Sequence, residues 1–396
     1  MVEYYRMLLD SLKDEKVLIV CGQEIIKERN DGGKLCSYRN LELFQSVFGK
    51  ENVFLIMFSK YKEIDKNTHI IRKPTHCGKI NKVRDVLTGH MFTSAANEME
   101  LINFIKEKGI RFVVFERSMF GKIICKIKKS TDCRIGVFIH NIECQYFKNK
   151  LIHRGPLYFL PYLCVKKSEK RSIDQADYIM TLTERDSEIL KRCYHVSSDI
   201  ILPMTFKDKY DNQRERKLEK GKQLLFVGTM FPPNYDGIKW FVDQVMPELS
   251  DYKLKIVGKN FEKKRTELER KNVQVIGTVD DLEEYYYSNS VMVMPIFYGD
   301  GMKIKTAESF MYGRTIFASD EALEGYEVEG VKGIFRCNTK EEYINAIHTF
   351  FSEKNVRYYQ EEVRNLFLKK YSFENQVAYC IEKWKTNEES YNEKKI

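Results

Sequence analysis

The run GDGMKIKTAE, from Gly299 to Glu308, gathers three kinds of reactive group: glycines, cations and two carboxylates. Glycines after an apolar strand allow a tight turn. A helix expected from about Met302 would point its free amides, those of Gly301, Met302, Lys303 and Ile304, back toward that turn, the arrangement by which helix starts hold anions. Lys303 and Lys305 would then lie in the first turn, where cations oppose the helix dipole unless an anion is also present. A diphosphate would resolve that conflict; a solvated basic helix start also accounts for the segment taken alone. Asp300 and Glu308 stand eight residues apart, one just before the helix and one two turns along it, roughly on the same face. Carboxylates accept hydrogen bonds from sugar and ribose hydroxyls, so a pair bracketing a phosphate-binding turn suits a nucleotide sugar. The same two acids also suit a helix cap at Asp300 and a surface salt bridge at Glu308.

Weaker signals stand elsewhere. His140 ends the expected strand RIGVFIH, where α/β sheets place their ligands, although a lone histidine there is equally a structural residue. Gly32 and Gly33 directly precede an expected helix from near Leu35, and paired glycines let amides approach a phosphate closely. Gly228 and Thr229 occupy the turn after QLLFV. No D-x-D pair occurs, and Asp280 with Asp281 reads as a helix start. The expected metal set is therefore none.

These residues need elements to hold them. KVLIV, NVFLIMF, RFVVF, RIGVFI and DYIMTLT are short β-branched or aromatic runs separated by amphipathic stretches such as ANEMELINFIKEKG, the pattern of a doubly wound parallel sheet. After the charged stretch Lys207 to Lys222, which reads as a linker, the pattern restarts with QLLFVG, KLKIVG, VQVIG, SVMVMPI and RTIFAS. The expected domains are residues 1–205 and 206–371. A closing amphipathic helix over about 372–390, capped by Ser372, is expected to pack back on the first domain.

A chain of 396 residues suits two domains, and its 43% hydrophobic and 31% charged residues exclude a disordered or fibrous class. No apolar run approaches the ~20 residues of a membrane-spanning helix. The first residues carry acids and lack an export signal, and the ten cysteines form no C-x-x-C pair or zinc spacing, so a cytoplasmic protein is expected. Formal charge is about +10 over residues 1–200 and about −1 over the remainder. The basic half sits in no nucleic-acid reader motif, so no nucleic-acid partner is expected. Residues 146–171 mix aromatics with Lys and Arg, which suits an anionic membrane surface and, equally, buried helix packing.

Four segments together resemble the retaining glycosyltransferases of family four, which have the GT-B fold: HNIE at His140 to Glu143, EKRSIDQADYIMTLTERDSEIL from Glu169, FVGTMFPPNYDGIKWF from Phe226, and GDGMKIKTAE followed by SDEALEGY. The resemblance covers most of the chain and implies two Rossmann-like domains facing across a cleft. It implies a hexosyltransferase-type enzyme that needs no cofactor and takes a nucleotide diphosphate sugar as donor and a glycan or polyprenyl-linked compound as acceptor, in cell-surface polysaccharide synthesis. It assigns Glu308 to the ribose, Asp300 to the transferred sugar, His140 to a place beside that sugar, and Gly32 and Gly33 to the diphosphate. A related branch with GxGMRIK-type helices assigns the diphosphate charge mainly to Lys305, with Lys303 second. The chain departs from the family in carrying Asp at 300, where Glu is common, and in lacking an evident Arg/Lys pair in GTMFPPNYDG. A non-catalytic partner subunit of another glycosyltransferase and a nucleotide-sugar epimerase are the alternatives. The sequence lacks the G-x-G-x-x-G run of a nicotinamide enzyme.

Overall fold

The computed structural model describes residues 15–27, 32–59, 69–74, 87, 89–214, 221–288, 291–299, 301–353 and 356–393. The chain divides into two compact units, Met1–Met204 with Gln376–Ile396, and Thr205–Asn375. The amino-terminal residues in which no export signal was read, and Asp300, lie outside the described residues.

The first unit is built on β1 (Val17–Cys21), β2 (Val53–Ser59), β3 (Ile70–Pro74), β4 (Phe112–Glu116), β5 (Arg134–Ile139), β6 (Tyr178–Thr181) and β7 (Ile200–Ile201). Their order is β3-β2-β1-β4-β5-β6-β7, and every neighbouring pair is parallel. All residues of β1, β2 and β4 are buried, which is why these runs are continuously apolar rather than alternating. The second unit repeats the plan with β8 (Lys222–Val227), β9 (Tyr252–Val257), β10 (Val273–Gly277), β11 (Val291–Met294), β12 (Ile316–Ala318) and β13 (Ile334–Arg336), in the order β10-β9-β8-β11-β12-β13. Each sheet therefore reverses direction beside its first strand, between β1 and β4 and between β8 and β11. Open α/β sheets bind ligands outside the carboxyl ends of the strands at that point.

The closing helix, Phe373–Glu393, starts at Ser372, whose hydroxyl accepts from the Asn375 amide at 3.3 Å. It carries Trp384 into the first unit, with ring centroids 4.3 Å from Phe112, 5.2 Å from Tyr178 and 5.5 Å from Phe48.

Three sequence expectations need correction. Of the expected linker from Lys207 to Lys222, residues 215–220 lie outside the described residues, and the part before them is packed in the second unit, where Tyr210 stacks on Tyr287 and Tyr359 at 5.8 Å and the Arg364 guanidinium covers its ring at 4.7 Å. The anticipated helix near Leu35 begins at Gly32 and spans Gly32–Phe48, so the paired glycines form its first turn. The one anticipated near Met302 spans Ile304–Met311, with Lys303 at the cap position. Among the described residues no helix is long and apolar enough to cross a membrane.

Candidate functional site

In the second unit, β8 ends at Val227 and turns through Gly228 and Thr229. The turn is tight because β9's own terminal turn crowds it: a Cβ on Gly258, whose φ is +140°, would lie 1.9 Å from the Gly228 carbonyl oxygen. No side chain fits there. Asn234, buried near the start of the helix Pro232–Trp240, donates its amide to the Thr229 carbonyl at 2.7 Å. Its carbonyl oxygen accepts from Lys305 Nζ. The Lys305 ammonium lies 5.2 Å from the centroid of the Phe226 ring, and only 3.2 Å from where a Gly228 Cβ would stand. Sequence-distant groups thus come together, with the glycine turn, Asn234 and the one ammonium forming a single cluster. Burial, and then the nearby Lys303 charge, pull the Lys305 ammonium down to about 7, while Glu308 pulls the other way. Among the described residues no carboxylate forms an ion pair with this ammonium, which leaves it poised for an anionic ligand.

Lys303 is arranged differently. Its ammonium meets Glu321 at 2.5 Å and the Gly301 carbonyl at 2.7 Å, so its charge is already balanced within the unit. Tyr326 donates to the Lys303 carbonyl at 2.7 Å, and the Thr306 hydroxyl donates to the Ala322 carbonyl at 2.7 Å. The SDEALEGY segment thereby fixes the start of the helix Ile304–Met311. Gly301 has φ +69°, and a Cβ there would meet nothing within 4 Å, so the space beside this turn is open. Met302 and Ile304 flank it, each partly buried. One turn past Lys305, Glu308 Oε2 accepts from the buried Tyr286 hydroxyl at 3.1 Å.

The first unit carries a second polar cluster at its own switch point. His140 follows β5 and is buried, with Nε2 at 2.6 Å from Glu116 Oε2 and 3.4 Å from Ser37 Oγ. A carboxylate only accepts, so Nε2 carries the hydrogen and Nδ1 remains; Nδ1 is buried and meets no partner. Asn40, on the helix Gly32–Phe48, donates to Glu116 Oε1 at 3.0 Å. The glycine-led helix is thus tied to the strand ends that hold His140, while Gly32 itself is exposed and a Cβ there would meet nothing within 4 Å. Gly33 is partly buried. Arg117, next to Glu116, adopts φ +116°, a strained conformation of the kind that clusters at functional sites. Its guanidinium lies 3.7 Å from Glu143, whose carboxyl is pushed up to about 7 by burial against the opposing pull of Arg117. The HNIE loop is held by the buried Glu169, which accepts from the amides of Glu143 and Cys144 at 2.9 Å and from the hydroxyls of Ser118 and Tyr194 at 2.6 Å.

Sequence reasoning missed Asn234, Tyr286, Glu116 and Glu321. Among the described residues no three His, Cys, Asp or Glu side chains are grouped to hold a metal ion.

Comparison with known proteins places the chain among related sequences and folds. Residues 221–353, which span the Gly228 turn, Lys305 and Glu308, match the family model described as Glycosyl transferases group 1. An uncharacterized 44.6 kDa protein in the cps region of Klebsiella pneumoniae is 23% identical over 380 residues, covering 88% of this chain and 94% of that one. The lipopolysaccharide outer core galactosyltransferase WaaB, in its apo form, superposes with a TM-score of 0.62 at 13% identity over 92% of this chain and 98% of its own. HepE of Anabaena, in complex with UDP-glucose, gives a TM-score of 0.57 at 9% identity over 92% and 99%. At such identities the structural likenesses establish the fold, two parallel α/β sheets in the GT-B arrangement of elements. Within that fold, the segment matched as Glycosyl transferases group 1 is residues 221–353.

Proposed function

We propose that this protein is a retaining, metal-independent hexosyltransferase that moves a sugar from a nucleotide diphosphate onto a glycan or polyprenyl-linked acceptor, in the synthesis of a cell-surface polysaccharide. The placement of Lys305 beneath the Gly228–Thr229 turn is the observation that carries the proposal. A partly buried ammonium beside backbone groups of a glycine turn suits a diphosphate, whose charge grows as the sugar departs. Glu308, whose Oε2 accepts from the Tyr286 hydroxyl, is the carboxylate assigned to ribose hydroxyls, for which it is a good acceptor.

In this scheme the bond from the anomeric carbon to the diphosphate breaks as the acceptor oxygen bonds on the same face. The acceptor proton passes to the departing phosphate oxygen, so no protein nucleophile is needed. Asp300 holds hydroxyls of the transferred sugar, and His140, fixed by Glu116, stands on the acceptor-bearing unit. Lys305 and the turn amides take the place a divalent ion would otherwise fill. NMR of the fresh product tests the stereochemistry, and an inverted anomeric centre would overturn it. Activity that vanishes with EDTA and returns with magnesium or manganese would end the metal-free account.

The same proposal places the protein in the cytoplasm, peripherally on the inner face of the membrane. Its support is the helix–turn–helix of Glu143–Arg154 and Phe159–Gln175, where Ile152, Leu157, Phe159, Leu160 and Leu163 are exposed, Leu157 at 88%. Between Glu143 and Glu169 there is no acid, while Lys148, Lys150, Arg154, Lys166 and Lys167 supply positive charge. Apolar side chains ringed by cations fit an anionic headgroup layer. Flotation with anionic vesicles that weakens with salt, and fails for Leu157→Asp, is expected; equal partitioning to neutral vesicles, or none, would reject the surface.

A further inference from the structure

Glu308 is held by a residue that no comparison assigns a role. Tyr286, at the end of the short helix Glu283–Tyr286, donates its hydroxyl to Glu308 Oε2 at 3.1 Å. The ring is 2% exposed and lies parallel to Tyr312 at 4.8 Å, with 2° between the planes. Tyr312 in turn meets the edge of Tyr287 at 5.3 Å. Tyr286 is therefore buried and held by its stack on Tyr312. Burial, and then the Glu308 charge, hold its hydroxyl well above the ordinary phenol range, so it remains a donor at any working pH.

A free glutamate side chain must be ordered each time a ligand binds, at a cost in rotamer entropy. A rigid donor on one carboxylate oxygen sets the plane of the group in advance. Two vicinal hydroxyls need a carboxylate at one angle, so orientation governs how sharply the site separates a ribose from a ribose lacking them. We propose that Tyr286 is a positioning residue that sets the Glu308 carboxylate and, through it, selects nucleotides with an intact ribose diol. This rests on the assignment of Glu308 to the ribose.

The test measures binding of UDP, GDP, CDP and ADP, each beside its 2′,3′-dideoxy counterpart, to the full chain by titration calorimetry. The ratio of the two affinities for the best-bound base is the readout. Glu308→Ala should bring that ratio to about 1, since a site built to accept from hydroxyls then loses its acceptor. Tyr286→Phe should lower it by about five- to tenfold, the scale of one hydrogen bond, with little change for the dideoxy ligand. The double variant should be no worse than Glu308→Ala alone, because Tyr286 acts only through that carboxylate. A packing role would weaken both ligands alike and lower the unfolding temperature, without changing the ratio. If Glu308→Ala collapses the ratio and Tyr286→Phe leaves it intact, the positioning role is wrong and the ribose assignment stands. Should Glu308→Ala retain the ratio, or none of the nucleotides bind, the ribose assignment fails and this inference with it. Tyr312→Phe keeps the stack and the Tyr286 hydroxyl, and its ratio should match the parent protein; a fall there would also overturn the assignment to Tyr286.

Discussion

Binding of the donor should take up a proton near neutral pH, and Lys305 is the reason. Burial and the Lys303 charge bring its ammonium down to about 7, so near pH 8 about nine molecules in ten carry the neutral amine in the absence of ligand. Each phosphate of a nucleotide sugar carries one ester bond and shares the anhydride, so nothing on the diphosphate titrates near neutrality. A proton gained on binding must therefore go onto the protein, and the diphosphate charge would draw it to Lys305. Affinity for a nucleotide sugar should fall by about tenfold between pH 6 and pH 8, which is ~1.4 kcal/mol. Titration calorimetry in buffers of differing ionisation enthalpy should show about one proton taken up per ligand near pH 8 and close to none near pH 5.5. Lys305→Met should bind weakly and show neither the slope nor the uptake. The sign for stability follows from the same shift. Between about 7 and the ordinary lysine range the unfolded chain binds more protons, so this group makes stability rise with pH, and Lys305→Met should stabilise most near pH 6. Tight binding by the parent protein near pH 8 without proton uptake, or uptake that survives in Lys305→Met, would refute the reasoning.

Three further outcomes are expected. Glu308→Ala should weaken nucleotide binding by roughly 1.5–3 kcal/mol, the scale of a hydrogen bond to a charged group, with the fold intact by circular dichroism. Glu143 is raised to about 7 from 4.5, so the native state holds the extra proton between those values and stability falls as pH rises through them. Urea unfolding of Glu143→Gln should accordingly show a gain over the parent that grows from pH 5 to pH 8, up to ~3 kcal/mol. Trp384→Ala should cost about 3–5 kcal/mol, because it removes the ring that joins Phe48, Phe112 and Tyr178; a loss below about 1 kcal/mol would show that the closing helix is not part of the first core.

What the sequence revealed follows from how local each signal is. The continuous apolar runs that became β1, β2, β4, β5 and β8 were legible because burial on both faces leaves no polar position to interrupt them. Ile200–Ile201 and Ile334–Arg336 escaped notice because strands of two and three residues give no period to read. The stretch from Lys207 looked like a linker because its charges hide one residue, Tyr210, whose partners lie far along the chain. Of the candidate site, Gly228, Lys305 and Glu308 were singled out from short motifs, whereas the residues that contact them were not. Asn234 is 71 residues from Lys305, Glu116 is 24 from His140, and Tyr286 is 22 from Glu308, so each pairing exists only once the sheet order is set.

The two lysines at the start of one helix show why motif alone could not rank them. On the sequence, both oppose the helix dipole and both ask for an anion. In the folded unit Glu321 supplies that anion to Lys303, and the Gly301 carbonyl completes its shell. Among the described residues, Lys305 meets the neutral Asn234 amide as its hydrogen-bond acceptor and the face of Phe226, with the Glu308 charge acting on it from a distance. A neutral acceptor satisfies hydrogen bonding without cancelling charge, so the conflict with the dipole persists at Lys305 and is relieved at Lys303. Unrelieved positive charge beside a turn with no room for a side chain is a poor choice for stability alone, and its depressed proton affinity records the cost. An anionic ligand at that turn would restore the balance, which is why we propose Lys305, rather than Lys303, as the partner of the diphosphate.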